Sequence, residues 1–70
     1  MTKVEVEILI RKLYKMSKGN NTAFHQLLWI EQQKIQTHTI TCDVRKNEVF
    51  VLIRERNSAR LRWEPLKVKI

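Results

Sequence analysis

The chain has one glycine, one proline and one cysteine among its 70 residues, and each scarcity removes a class of explanation. A single glycine cannot build the phosphate-cradling loops of nucleotide-binding motifs. Cys42 alone excludes an intramolecular disulfide. With His25 and His38 it is also too small a ligand set for a zinc centre. His38 and Cys42 share a strand parity, but four extended residues separate them by about 13 Å, so they cannot chelate one ion. Neither serine nor cysteine sits in a recognisable nucleophile motif. No metal, cofactor or catalytic group is therefore expected. No apolar run is long enough to span a membrane and no lipidation motif appears, so no membrane partner is expected. A lone thiol suits a reducing compartment, and the expected localisation is cytoplasmic.

What is scarce on the acidic side is abundant on the basic one. Fourteen Lys and Arg against seven Asp and Glu give a net charge of +7 and a pI near 10.1. A surplus this large in so short a chain attracts polyanions: nucleic acid first, an acidic protein surface second. With 43% hydrophobic and 30% charged residues, the composition is that of one folded domain over residues 1–70. So small a domain buries only roughly 60% of the surface its unfolded chain exposes, which makes a homodimer a natural expectation.

Thr2 and Glu5 form a capping-box pattern ahead of Val6, Leu9, Ile10, Leu13, Tyr14 and Met16, which share one face of a 3.6-residue period. The spacing predicts a first helix from Lys3 to Ser17. Val4, Val6, Ile8 and Ile10 also alternate like a strand, but only the longer period continues through Leu13. Ser17 to Asn21 is a breaker cluster, with Gly19 suited to end one helix and Asn21 or Thr22 to cap the next. A second helix is expected from Ala23 to Gln36, its stripe of Ala23, Phe24, Leu27, Leu28, Ile30 and Ile35 directed at a sheet. Trp29 falls opposite, with His25 and Gln33 four residues to either side.

From Thr37 the period changes to two. His38, Ile40, Cys42 and Val44 form one face of a first strand, and Glu48 to Arg56 carries the run Val49 to Ile53 that reads as the central strand. A three-residue loop, Arg45-Lys46-Asn47, pairs Val44 with Glu48, Cys42 with Phe50 and Ile40 with Leu52. A two-residue turn, Asn57-Ser58, pairs Arg56 with Ala59 and Leu52 with Trp63. The expected core face is then Ile40, Cys42, Phe50, Leu52, Leu61 and Trp63, with Leu52 at its centre. The other face carries Thr39, Thr41, Val49, Val51, Ile53, Arg60, Arg62 and Glu64. A third strand is expected over Ala59 to Glu64, with Leu66, Val68 and Ile70 in a separate edge strand beyond Pro65. The fold class is α+β: two N-terminal helices on one face of a three- to four-stranded antiparallel β-meander.

Arg45, Lys46, Arg54, Arg56, Arg60 and Arg62 place six basic residues within eighteen. Arginine's planar fork suits phosphate better than a lysine point charge. These six are the candidate nucleic-acid contacts. Trp29, His25 and Gln33 form a candidate stacking or interface surface. The leading expectation is a small non-enzymatic nucleic-acid-binding protein, a regulator or accessory factor working through an Arg-rich sheet and hairpin surface. The second is an interaction module, inhibitor or adaptor for an acidic partner. The third is a metal-independent ribonuclease using His25 or His38 as base.

Overall fold

A computed structural model describes residues 2–56 and 62–70. The elements run α1 (Lys3–Ser17), α2 (Asn21–Lys34), β1 (His38–Arg45), β2 (Glu48–Glu55) and β3 (Glu64–Lys69). The two helices pack on one face of an antiparallel sheet in the order β1-β2-β3, which is the α+β arrangement expected.

The start of α1 follows from three residues. The Glu5 backbone N–H donates to the Thr2 hydroxyl, and the Thr2 N–H donates to Glu5 Oε1, both at 3.2 Å. These two bonds satisfy helix-end donors that would otherwise lack partners. The Thr2 backbone donor, and after it the Thr2 hydroxyl, hold the Glu5 carboxyl below its usual range. The helix ends where Lys18 (φ 54°) and Gly19 (φ 78°) enter left-handed backbone, the second of them a residue with no Cβ to oppose it. The cap of α2 is Asn20 rather than Asn21 or Thr22. Its side-chain oxygen accepts from Ala23 N–H at 3.0 Å, which moves the start of α2 two residues earlier than the apolar pattern suggested.

Val6, Ile10 and Leu13 from α1 meet Phe24 and Leu28 from α2 over Ile40, Val49, Val51, Ile53 and Val68 from the sheet. Met16 and Ile30, expected on the buried stripes, are instead exposed. Each lies at the margin of a stripe that three or four other side chains already fill.

The sheet departs from expectation by one residue. The β1–β2 connection is the two-residue turn Lys46-Asn47, so Arg45 pairs with Glu48, Cys42 with Val51 and Ile40 with Ile53. Asn47 does not take a left-handed conformation. A slip of one exchanges every side chain between faces. Val49, Val51 and Ile53 therefore form the buried row, while Phe50 and Leu52 stand 39% and 43% exposed on the face away from the helices. Leu52 is not the core centre. Because Val49 to Ile53 is apolar at both parities, the run itself carried no information about which face is buried.

β3 is also displaced. Val68 pairs with Val49, Leu66 with Val51 and Pro65 with Leu52, so the segment expected as a separate edge strand is the third strand itself. Arg62 and Trp63 precede it outside any strand, and Trp63 is exposed rather than core. The Asn57-Ser58 turn and Ala59 to Leu61 lie outside the described residues. Pro65 is accommodated by ladder alternation. The Arg56 N–H to Thr37 carbonyl and Ile70 N–H to Asn47 carbonyl bonds fix which parity of each pair is hydrogen-bonded. On that parity, residues 64, 66 and 68 bond β2, and the nitrogen of Pro65 points to the open edge, where no donor is missed.

Both edges are covered in part by the helices. Ile40 N–H donates to Gln32 Oε1 at 2.7 Å, and Gln32 Nε2 donates to the His38 carbonyl at 2.8 Å. One amide side chain from α2 thus reproduces the two bonds a fourth strand would make. On the far edge, Arg11 Nε donates to the Lys69 carbonyl at 3.2 Å. Such cover blunts edge-to-edge association.

Candidate nucleic-acid interface

The domain measures 37 × 21 × 17 Å along its principal axes. Its shortest extent holds one helix layer and one sheet layer, which pack at about 10 Å, and no third. The second face of the sheet therefore has no cover from the described residues. Its side chains come in cross-strand rows: Arg45, Glu48 and Lys69; Asp43, Phe50 and Lys67; Thr41, Leu52 and Pro65; Thr39 and Arg54. A cleft of about 650 Å³ opens over Phe50, Leu52 and Pro65, with Arg45 and Lys67 at its sides. That volume lies within the range of ligand-binding sites.

Cations are held against aromatic rings at both ends of this face. The Arg45 guanidinium lies 5.4 Å and the Lys67 ammonium 5.5 Å from the Phe50 ring centre, and the Arg54 guanidinium lies 5.0 Å from the Trp63 ring. Each is within the cation–π range. Arg54 Nε is buried with no acceptor among the described residues, a condition uncommon enough in folded proteins to require a reason. Next to it, Arg56 Nε donates to the Thr39 hydroxyl at 3.2 Å, which extends the guanidinium row past the end of β2.

The acids sharpen the asymmetry. Glu5 is spent in the α1 cap. Every other carboxylate lies within 4 Å of a basic partner: Glu7 with Arg11, Glu31 with Lys34, Asp43 with Arg45, Glu48 with Lys67, Glu55 with His38 and Glu64 with Lys3. Arg45 and Lys67 are thus compensated at one end of the face. Arg54, Arg56 and Arg62 have no carboxylate within that distance among the described residues, and neither have Lys46 and Lys69 at the opposite end, so it is the uncompensated guanidinium groups that gather at the Trp63 end.

Five of the six basic candidates can now be placed. Arg45, Arg54 and Arg56 lie on the open face, Lys46 at the exposed β1–β2 turn beside Arg45, and Arg62 next to Trp63; Arg60 is outside the described residues. They do not form one cluster, because the turn and the Arg54 row sit at opposite ends of β2. Trp29 is 66% exposed on α2, sharing a shallow surface with Thr22, His25, Gln26 and Ile30. Gln33 is exposed one turn on, whereas Gln32 is turned to the β1 edge. His38 is buried, its Nδ1 2.8 Å from the Thr37 hydroxyl.

Phe50, Leu52, Trp63 and Lys67 were not legible as site residues. One sign was available: the even parity of Leu66 and Val68 beyond Pro65 defines a buried row only if Pro65 and Lys67 stand on the open face.

Cys42 belongs to the covered side, half-buried against the core, and burial pushes its thiol up to about 12. Only a thiolate alkylates readily. Iodoacetamide at pH 8 is therefore expected to leave the native protein unmodified and to label it fully in urea, as read by mass spectrometry. Rapid labelling of the native chain would mean the thiol is not held in the core.

The chain matches no known family model, no curated protein and no solved structure. No helix among the described residues is long and apolar enough to cross a membrane.

Proposed function

We propose that this chain is a small non-enzymatic nucleic-acid-binding domain that takes its ligand on the uncovered face of the sheet, with Arg54, Arg56 and Arg62 as the principal phosphate contacts. What carries the reading is the coincidence on one face of uncompensated guanidinium groups and exposed aromatic rings, in a chain of net charge +7. Polyanion binding draws on the first and base contact on the second. Arg45, Lys46 and Lys67 extend the contact surface to the other end of β2. The non-enzymatic reading is supported by placement: His38 and Cys42 lie on the covered side of the sheet, and His25 stands on α2 beside Trp29, so none of the three is on the open face.

The test is fluorescence anisotropy of labelled oligonucleotides across a salt series. Log affinity is expected to fall linearly with log salt. In Arg54→Ala with Arg56→Ala the slope should shrink by about 1.5, at roughly 0.7–0.9 per phosphate contact, while Arg45→Ala, whose charge Asp43 already offsets, should change it less. Affinity indifferent to salt, or no binding at all, would overturn the reading.

One observation favours a second partner of a different kind. Trp29 and Ile30 stand exposed together on α2, away from the sheet, and an exposed tryptophan beside an aliphatic residue is the composition of an interface anchor. This surface suits a protein partner, for which the basic charge selects an acidic one.

A further inference from the structure

Within the nucleic-acid reading, on which this step rests, we infer that the ligand is an unpaired strand whose bases stack on Phe50 and Trp63. Two platforms stand on the face. Phe50 is the third residue of β2, with the Arg45 and Lys67 cations within 5.5 Å of its ring centre, and Trp63 is beneath the Arg54 guanidinium. Four strand residues separate Phe50 from the Arg54 row, about 13 Å at the rise of a β-strand.

Duplex geometry fits poorly. The backbones of β1 and β3 are about 9.6 Å apart at the usual strand spacing, and side chains widen the sheet beyond the roughly 12 Å major groove, which admits a helix or a two-stranded ribbon. Paired bases also keep their faces inside the stack, out of reach of a ring on a flat sheet. An unpaired strand offers both a π-face and a flexible chain of phosphates. The former meets Phe50 and Trp63, and the latter meets Arg54, Arg56 and Arg62. Leu52 and Pro65 lie between the platforms and make an apolar floor, with Thr41 the one hydroxyl in their row, so the contact there is mainly by stacking and apolar packing, which tolerate base sequence.

The experiment compares four probes of equal length: a thymidine 12-mer, the uridine 12-mer, an abasic 12-mer that keeps every phosphate, and a 12-base-pair duplex. The expected result is equal affinity for the two unpaired strands. The abasic strand and the duplex should each bind at least tenfold more weakly. Phe50→Leu should lower unpaired-strand affinity about five- to 150-fold, the span of one lost base–aromatic stack, with unchanged affinity for the abasic strand and an unchanged melting temperature. In a Trp29→Phe background, Trp63 fluorescence should be quenched by the thymidine strand and not by the abasic one. Equal binding of intact and abasic strands overturns base stacking while leaving phosphate contact in place, and so does tighter binding of the duplex. A uridine strand that differs tenfold from thymidine overturns the tolerance of the contact for nucleotide identity. Failure of all four probes to bind overturns the nucleic-acid reading itself. Should Phe50→Leu destabilise the protein, Phe50→Tyr, which keeps the ring, is expected to retain wild-type affinity.

Discussion

Phe24→Ala is expected to remove about 3–5 kcal/mol of stability, the range for truncating a fully buried aromatic side chain. Phe24 is one of the largest side chains sealed in the core, at 1% exposure. It sits at the point where α2 meets α1: its ring meets Tyr14 edge-on at 6.1 Å between centroids, and the His25 ring at 5.6 Å. Tyr14 is only partly buried and His25 is exposed, so among the described residues Phe24 is the one phenylalanine, tyrosine or tryptophan ring sealed in the core. Proteins of this length have about 3.5–10 kcal/mol of total stability at roughly 0.05–0.15 kcal/mol per residue, so the loss takes up a large share of what holds the domain together. A urea titration followed by far-ultraviolet circular dichroism should show the midpoint collapsing towards zero denaturant. Phe24→Leu, which keeps most of the volume, should retain a cooperative transition. A midpoint for Phe24→Ala within about 1 kcal/mol of wild type would mean that the helices are not joined through this ring.

The second large effect tests the sheet register. Val51→Lys is expected to unfold the domain, because it places an ammonium group at a position only 1% exposed between Cys42 and Leu66, where no carboxylate is close enough to pair with it. An unpaired buried charge costs several kcal/mol even after relaxation. Leu52→Lys, one residue along, adds the same charge to the open face and should leave the melting temperature within the shift of a surface substitution, about 0.5 kcal/mol. It should also raise affinity for a polyanion, provided the cleft over Phe50 tolerates the longer chain. A register with Leu52 in the core predicts the reverse: Val51→Lys tolerated and Leu52→Lys unfolded. The pair of melting temperatures therefore decides between the two faces without any further structural measurement.

The aggregate charge makes the same distinction visible from another direction. Net charge alone points to a polyanion, but says nothing about where it docks. Only after the acids are matched to their partners does the Trp63 end of the sheet emerge as the one that gathers the uncompensated guanidinium groups. Arg45, prominent in the sequence as part of the Arg-Lys turn, is 2.9 Å from Asp43 and contributes less free charge than its neighbours in the chain suggest. Lys67, which carries no motif, stands on the Phe50 ring.

The local chemistry of the chain determined both helices. The Thr2–Glu5 capping box, the 3.6-residue period through Leu13 and the left-handed turn at Gly19 all act within a few residues, so α1 lies over the residues its pattern defines, and α2 begins at a side-chain cap two residues from the apolar estimate. The antiparallel class of the sheet was equally local, because alternation and short connections between strands leave few other arrangements. What only tertiary packing decided was which face of β2 is buried and which segment forms β3. Val49 to Ile53 is apolar at both parities, so its hydrophobicity is equally satisfied by either face, and a loop of two or three residues shifts the register by one. The choice falls to the helices. The packed set of Val6, Ile10, Leu13, Phe24 and Leu28 accepts Val49, Val51 and Ile53 beside Ile40 and Val68, and the alternation of Leu66 and Val68 completes that row. Phe50 and Leu52 are left outside by the same step, so the candidate binding face is a consequence of which β-branched residues the core took in.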